Sequence, residues 1–205
     1  MASAVVLIDY GAGNLHSVFN ALRAVGADVA VTDDVDIVRE AGRIVLPGVG
    51  AFGACMDRLT EIEGMTDALE NRVLGDGVPF LGICVGMQLM AEYGVEHGTN
   101  KGLGWVAGHV GAIEPRQGVR VPHMGWNTVT PVGKDSIVEP GEAYFLHSYS
   151  FRTDGSQHAV RAVTDHGGEV VAAIQSGSAL GVQFHPEKSQ AYGLNLLKRF
   201  MEWNP

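Results

Sequence analysis

In the first half of the chain, short apolar and β-branched runs alternate with stretches in which apolar positions recur every three to four residues. AVVLID (4–9), DVAV (28–31), RIVLP (43–47) and PFLGI (79–83) read as strands. Helical spacing predicts helices over 15–25, near Val35, over 52–59 and 65–74, and over 85–93. Strand-helix-strand repetition builds a parallel sheet, and the runs are apolar throughout, as strands covered on both faces would be. After Gly94 the pattern becomes short strand-like pieces separated by turn residues: WVAGHVGAI, NTVTPV, AYFLHSYSF, AVRAVTD, EVVAAI and LGVQF. This half reads as largely antiparallel. A last helix over 192–203 carries Leu196, Leu197 and Phe200 at helical spacing and is expected to pack back on the sheet. No Pro-, Gly- or Ser-rich linker divides the chain. The expectation is one α/β domain over 1–205, with a mixed, mostly parallel central sheet flanked by helices and antiparallel additions in the C-terminal half.

Composition narrows the function classes. The 205 residues, 46% hydrophobic and 18% charged, are ordinary globular values, and a chain of this size buries roughly 70% of the surface its unfolded form exposes. The formal charge of -9 repels phosphate backbones and acidic lipid surfaces, and no Lys/Arg run is present, so nucleic acid is not an expected partner. The longest apolar runs are about half the roughly 20 residues that span a bilayer, so no membrane segment is expected. Residues 1–9 lack the basic start and long apolar stretch of a signal peptide. Cys55 and Cys84 have no metal-ligand spacing, and the expected location is the cytoplasm, where thiols stay reduced.

The chemistry concentrates in three places. Gly82-Ile83-Cys84-Val85-Gly86 lies between a buried strand and a predicted helix, where G-x-nucleophile-x-G makes a tight elbow. Its glycines let backbone approach neighbouring elements, and the cysteine projects from the tip toward helix N-terminal amides that favour a thiolate. Cys55, within AFGACMDRL, has no such context and reads as a small hydrophobe.

A thiol nucleophile needs a base, and eight histidines compete. His185 closes the apolar run LGVQF, and Pro186 biases it toward an extended conformation. Residues two apart in extended chain point the same way, so Glu187 can hydrogen-bond the imidazole and fix its tautomer. Acyl transfer also needs oxyanion donors. The Val85 amide follows the nucleophile, and Pro47-Gly48-Val49-Gly50 follows a parallel strand with glycines that permit the required peptide orientations, so Val49 and Gly50 are candidates.

Two competing patterns are weak. Gly48-x-Gly50-x-x-Gly53 matches a dinucleotide fingerprint formally, but at the third strand, behind Pro47, and with no ribose-binding acid following in a βαβ unit. His185-x-Glu187 matches part of the zinc-deaminase signature, whose P-C-x-x-C is absent. No cofactor and no metal are expected.

With these strings in view, the chain resembles the class I glutamine amidotransferases, and more narrowly the glutaminase subunits of imidazole glycerol phosphate synthases. The likeness covers nearly the whole chain: DYGAGN (9–14), PGVGAF (47–52), GICVGMQL (82–89), PHMGWN (122–127) and QFHPEKS (183–189). Val85 stands where that family often has Leu, which leaves the backbone donor intact. The resemblance implies a flavodoxin-like fold and glutamine as substrate, attacked by Cys84 to give a glutamyl thioester that water hydrolyses to glutamate, with release of ammonia. It implies that Gly50, Gln88, Glu96 and His147-Ser148-Tyr149 hold the substrate. It also implies a heterodimer with a separate (β/α)8-barrel cyclase that receives the ammonia in histidine biosynthesis, because this chain has no repeated βα units for a barrel of its own. Asn14, His123, Trp126 and Lys188 are expected to face that partner. The rivals are the same chemistry for another acceptor, a silent regulatory subunit, and a free-standing cysteine hydrolase.

Overall fold

The computed structural model describes residues 4–115, 118–133 and 136–205. Its core is a nine-stranded sheet in the order β2-β1-β3-β4-β13-β12-β11-β8-β9. The parallel half comprises β1 (Ala4–Ile8), β2 (Asp28–Thr32), β3 (Arg43–Gly48), β4 (Phe80–Cys84) and β13 (Ala179–Val182). The other half is antiparallel: β8 (His123–Pro131), β9 (Gly141–His147), β11 (Val160–Asp165) and β12 (Glu169–Ser176). Four pairings run each way. β3, β4 and β13 are buried at every position, as unbroken apolar runs require, whereas the edge strand β2 is half exposed.

Helices α1 (Leu15–Ala24) and α6 (Gln190–Glu202) pack on each other, α2 (Val35–Arg39) packs on α4 (Met65–Glu70), and α4 packs on α3 (Phe52–Glu61). Each turns its apolar stripe inward: Val18, Ala21 and Leu22 on α1, and Gly193, Leu196, Leu197 and Phe200 on α6. Among the described residues no helix is long and apolar enough to cross a membrane.

Two elements differ from the sequence pattern. The helix expected over 85–93 stops early: α5 is only Val85–Gln88, and Ala91–Gly94 is a strand, β5. The carbonyls that would continue the helix are taken from downstream, since Leu103 N–H donates to Leu89 O, Val106 N–H to Met90 O and Gly104 N–H to Ala91 O. β5 joins β6 (Asn100–Lys101), β7 (Val106–Ala112) and β10 (Tyr149–Arg152) in a separate four-stranded sheet. AYFLHSYSF also breaks in two. The chain leaves the large sheet after His147 and enters the small one at Tyr149, which places Ser148 at the junction. That junction sits at the functional site.

Candidate active site

Parallel strands all present their C-terminal ends on one edge, where ligands of open α/β sheets bind. Here β3 delivers Pro47-Gly48-Val49-Gly50 and β4 delivers Cys84, with Gly48 and Cys84 in direct register. β13 runs on to His185. Cys84 adopts φ 55, ψ -109, a left-handed backbone that a non-glycine residue holds only under strain and that is found at nucleophile elbows. The glycines on either side permit it. A Cβ on Gly82 would lie 2.6 Å from Gly86 O, and one on Gly86 would lie 1.9 Å from Leu46 O.

His185 Nδ1 meets Glu187 Oε1 at 2.9 Å, and both side chains are almost fully buried. With Nδ1 committed to the carboxylate, Nε2 is the nitrogen left for Cys84, whose thiol points to Leu146 O at 3.9 Å. Burial lowers the imidazole pKa, but the influence of Cys84 and Glu187 outweighs it and raises the value to about 9. The turn carrying these groups is locked from outside. His185 N–H donates to Tyr144 O, Ser189 Oγ–H donates to His185 O, and Tyr144 N–H donates to Ser189 Oγ. Gly193 of α6 approaches so closely that a Cβ there would lie 1.9 Å from Pro186 O.

A cavity of about 180 Å³ opens onto this group, lined by Val49, Gly50, Cys84, Val85, Gln88, Glu96, Leu146, His147, Ser148, Tyr149, His185 and Lys188. Drug-sized ligands occupy roughly 300–1,000 Å³, so this space is on the scale of a single amino acid. The candidate catalytic, oxyanion and substrate residues from sequence therefore converge on one space, together with Lys188, except Glu187, which does not line it and reaches it only through His185. The remaining partner-facing candidates are dispersed. Trp126 is 48% exposed and Asn14 is partly exposed. His123 differs from expectation: it is only 3% exposed, because β8 pairs it directly across from His147 with its ring turned inward.

Other side chains take part in the site through contacts that the sequence reading did not assign. Cys55, which sequence marks as inert, donates its thiol to Val49 O at 3.4 Å, and burial, the largest influence on it, raises its pKa. Tyr10 Oη donates to Pro47 O at 2.8 Å, and Glu96 Oε2 accepts from Phe52 N–H at 2.9 Å. Three side chains thus fasten the candidate oxyanion loop. Gln183 is fully buried beside the nucleophile, with Nε2 3.6 Å from Cys84 Sγ. In sequence it opens the QFHPEKS string, where it was given no role of its own.

A family model described as glutamine amidotransferase class-I matches residues 6–203. The chain belongs to the class-I glutamine amidotransferases. Within them its relatives include the imidazole glycerol phosphate synthase subunit HisH of Zymomonas mobilis, 52% identical over 209 residues that cover 100% of this chain and 98% of that one. The same-named subunit of Rhodospirillum rubrum is 46% identical, covering 98% and 99%. Among solved structures, a glutamine amidotransferase superposes with a TM-score of 0.76 at 20% identity, covering 96% of this chain and 97% of that one. PurLQS from Thermotoga maritima gives 0.72 at 18%, covering 98% and 97%. Both show the same fold.

Behind the pocket, this amidotransferase carries a directed histidine pair. His147 Nδ1 donates to Tyr149 O at 2.8 Å, so its Nε2 accepts from His123 Nδ1 at 3.0 Å. His123 Nε2 then accepts from Asn127 Nδ2 at 3.0 Å. The two bonds in which a ring nitrogen accepts, His123 to His147 and Asn127 to His123, require both rings to be neutral. Burial, followed by repulsion from His147 and His166, lowers His123 to about 3. Burial also lowers His147, to about 4, with the Tyr149 bond opposing and His166 and His185 adding to the fall.

The unfolded chain takes up these protons at about 6.5. It therefore binds more protons than the folded chain below that pH, and stability is lost as pH falls from 6.5 toward 3. Between pH 6.5 and 5, above the main carboxylate range, denaturant titrations are expected to lose about 2–3 kcal/mol. His123→Leu should flatten that slope by about half, and a parent slope near zero would contradict the neutral pair.

Proposed function

We propose that the chain is the glutamine-hydrolysing subunit of an imidazole glycerol phosphate synthase acting in histidine biosynthesis. The observation that carries the reading is the amino-acid-sized cavity holding the strained cysteine with its buried His-Glu pair, in a chain half identical to a HisH along its whole length. Glutamine enters with its side-chain amide over Cys84. Sulfur attacks the amide carbon, and the oxygen takes negative charge against the Val85 N–H and an amide of Val49 or Gly50. The proton lost from sulfur resides on His185, which Glu187 stabilises, and passes to the departing nitrogen as the C–N bond breaks and ammonia leaves. A glutamyl thioester remains on Cys84. Water, deprotonated by His185, hydrolyses it to glutamate and restores the thiol.

The substrate end has a definite polarity. Both Gln88 N–H groups are occupied, one by Tyr149 O at 3.0 Å and one by Gln183 Oε1 at 2.9 Å. Only Oε1 of Gln88 remains for a ligand, and it accepts. Glu96 is likewise an acceptor, with one oxygen already on Phe52 N–H. Gln88 and Glu96 therefore suit the α-ammonium of glutamine rather than its carboxylate.

The partner reading, a (β/α)8-barrel cyclase receiving the ammonia, is supported by the surface at the pocket mouth. Met124 and Trp126 on β8 project outward beside Leu146 and Tyr144 on β9, and Met124 is 65% exposed. Lys188 Nζ lies 6.0 Å from the Tyr144 ring. This exposed apolar band, with Lys188 beside it, suits a protein partner more than bulk water. The two reduced cysteines agree with a cytoplasmic location.

The test is glutamate release from glutamine by the purified chain, alone and with the cyclase plus its nucleotide ligand. Activity that requires the complex supports the proposal. Full activity in the free chain points instead to a free-standing hydrolase, and no activity in either state to a silent subunit or a different acceptor.

A further inference from the structure

Gln183 extends β13 past its last ladder residue, its N–H donating to Ala172 O at 2.9 Å, and its side chain turns into the protein with no exposed surface. A primary amide in such a place is costly unless its hydrogen bonds are made. They are made, and their directions can be assigned by elimination. Tyr149 O is a carbonyl and only accepts, so the group facing it on Gln88 is the NH2. That same NH2 faces the Gln183 side chain, so the Gln183 atom it meets is the carbonyl Oε1. The Gln183 NH2 must then be the end that faces Cys84 Sγ, at 3.6 Å. The usual ambiguity of amide orientation is resolved by one backbone carbonyl two links away.

We infer that Gln183 is a further catalytic residue, a fixed N–H donor to the Cys84 sulfur that stabilises it as an anion, with Gln88 as the positioning residue that prevents the amide from rotating. The inference rests on the reading of Cys84 as the nucleophile. The donor matters at two moments. Before attack it favours the sulfur that has given its proton to His185. When the thioester breaks, it favours sulfur as the leaving group as the S–C bond electrons return to it and water's oxygen takes the carbon. It is distinct from the oxyanion donors, which act on the substrate oxygen. The apolar surroundings strengthen it, because in a water-poor site a dipole aimed at developing charge is not screened. Gln88 thus has two roles from one amide, with its NH2 holding Gln183 and its Oε1 facing the substrate.

Iodoacetamide alkylation of Cys84 in the full chain, followed on its peptide by mass spectrometry, tests this without glutamine or a partner. It therefore fails or succeeds independently of the substrate assignment. Gln183→Met keeps the length and removes the donor. Alkylation at neutral pH is expected to slow by about 10-fold or more, in line with loss of one hydrogen bond to a charged group. The difference should close near pH 10, above the ordinary thiol range of about 8.5, where sulfur ionises without help. A purely structural defect would not produce that convergence.

Gln183→Glu is isosteric and polar, and it keeps the test alive should the Met variant not fold. Its carboxylate repels the sulfur anion, so the neutral-pH rate should fall at least as far. In the complex, both variants should lower kcat by about 10–100-fold with little change in KM. A folded Met or Glu variant that alkylates at the parent rate at neutral pH overturns the inference.

Discussion

Glu187→Gln is expected to fold as the parent does and to release glutamate on the order of 10³–10⁴-fold more slowly in the complex, the scale known for removing the carboxylate of a nucleophile-base-acid triad. The His185 tautomer decides the effect. In the parent, Glu187 Oε1 can only accept, so His185 Nδ1 must carry hydrogen and Nε2 stays free to exchange a proton with Cys84. A Gln amide fits the same space, because Glu187 Oε2 is buried without a partner and makes no bond to lose. If the amide turns its NH2 toward Nδ1, the ring hydrogen shifts to Nε2 and blocks the sulfur. If it keeps its oxygen there, geometry survives but the charge that stabilises the imidazolium is gone.

The pH profile separates this from a folding defect. In the parent, burial works against the His185 proton, but Cys84 and the Glu187 carboxylate hold it up to about 9. The folded ring then retains a proton that the unfolded ring releases at about 6.5, and that contribution to stability is present below 6.5 and lost as pH rises through 9. In Glu187→Gln the alkaline loss of stability should move to lower pH and shrink. Measured melting temperatures from pH 6.5 to 9 that remain parallel to the parent's would refute the assignment, as would a glutamate-release rate within tenfold of the parent's. Cys84→Ala sets the floor for that assay.

The parts legible in sequence were those whose cause is local. The elbow follows from two glycines four residues apart around a cysteine, and the base from a proline-stiffened i, i+2 pair. The apolar runs of β3, β4 and β13 followed from burial on both faces. What sequence missed was decided by distant chain. Residues 85–93 have helical spacing, but the carbonyls at 89–91 are captured by residues 103–106, so a four-residue helix gives way to a strand. AYFLHSYSF has no visible break at Ser148, and the break comes from two sheets competing for its ends. His123 sits in an exposed-looking PHMGWN string, yet the β8-β9 register sets it against His147, whereas its neighbours Met124 and Trp126 stay outside. Gln183 and Tyr10 act through partners 99 and 37 positions away, and Cys55 through the Val49 carbonyl six residues before it, a contact that only the folded loop creates.

Gly86→Ala should be strongly destabilising. The Ala Cβ would sit 1.9 Å from Leu46 O and 2.9 Å from Leu46 C, both backbone atoms of a fully buried central strand. A flexible side chain could move aside, but β3 is held by β1 on one edge and β4 on the other. Relief therefore requires α5 to lift off β3, costing about 3 kcal/mol or more at the upper end of overpacking penalties. A melting temperature lower by about 6–12 °C is expected on that basis.

The functional consequence follows from the same displacement. α5 carries the Val85 amide and β3 leads directly into Val49 and Gly50, so separating the two pulls the oxyanion donors apart while leaving Cys84, His185 and Glu187 in place. Whatever fraction folds should then lose kcat more than substrate affinity. Gly75→Ala is the control, since nothing lies within 4 Å of the added carbon and its φ is ordinary. A Gly86→Ala chain as stable and active as the Gly75→Ala control would mean that α5 and β3 are not in contact through backbone, and that the elbow glycine serves only the turn.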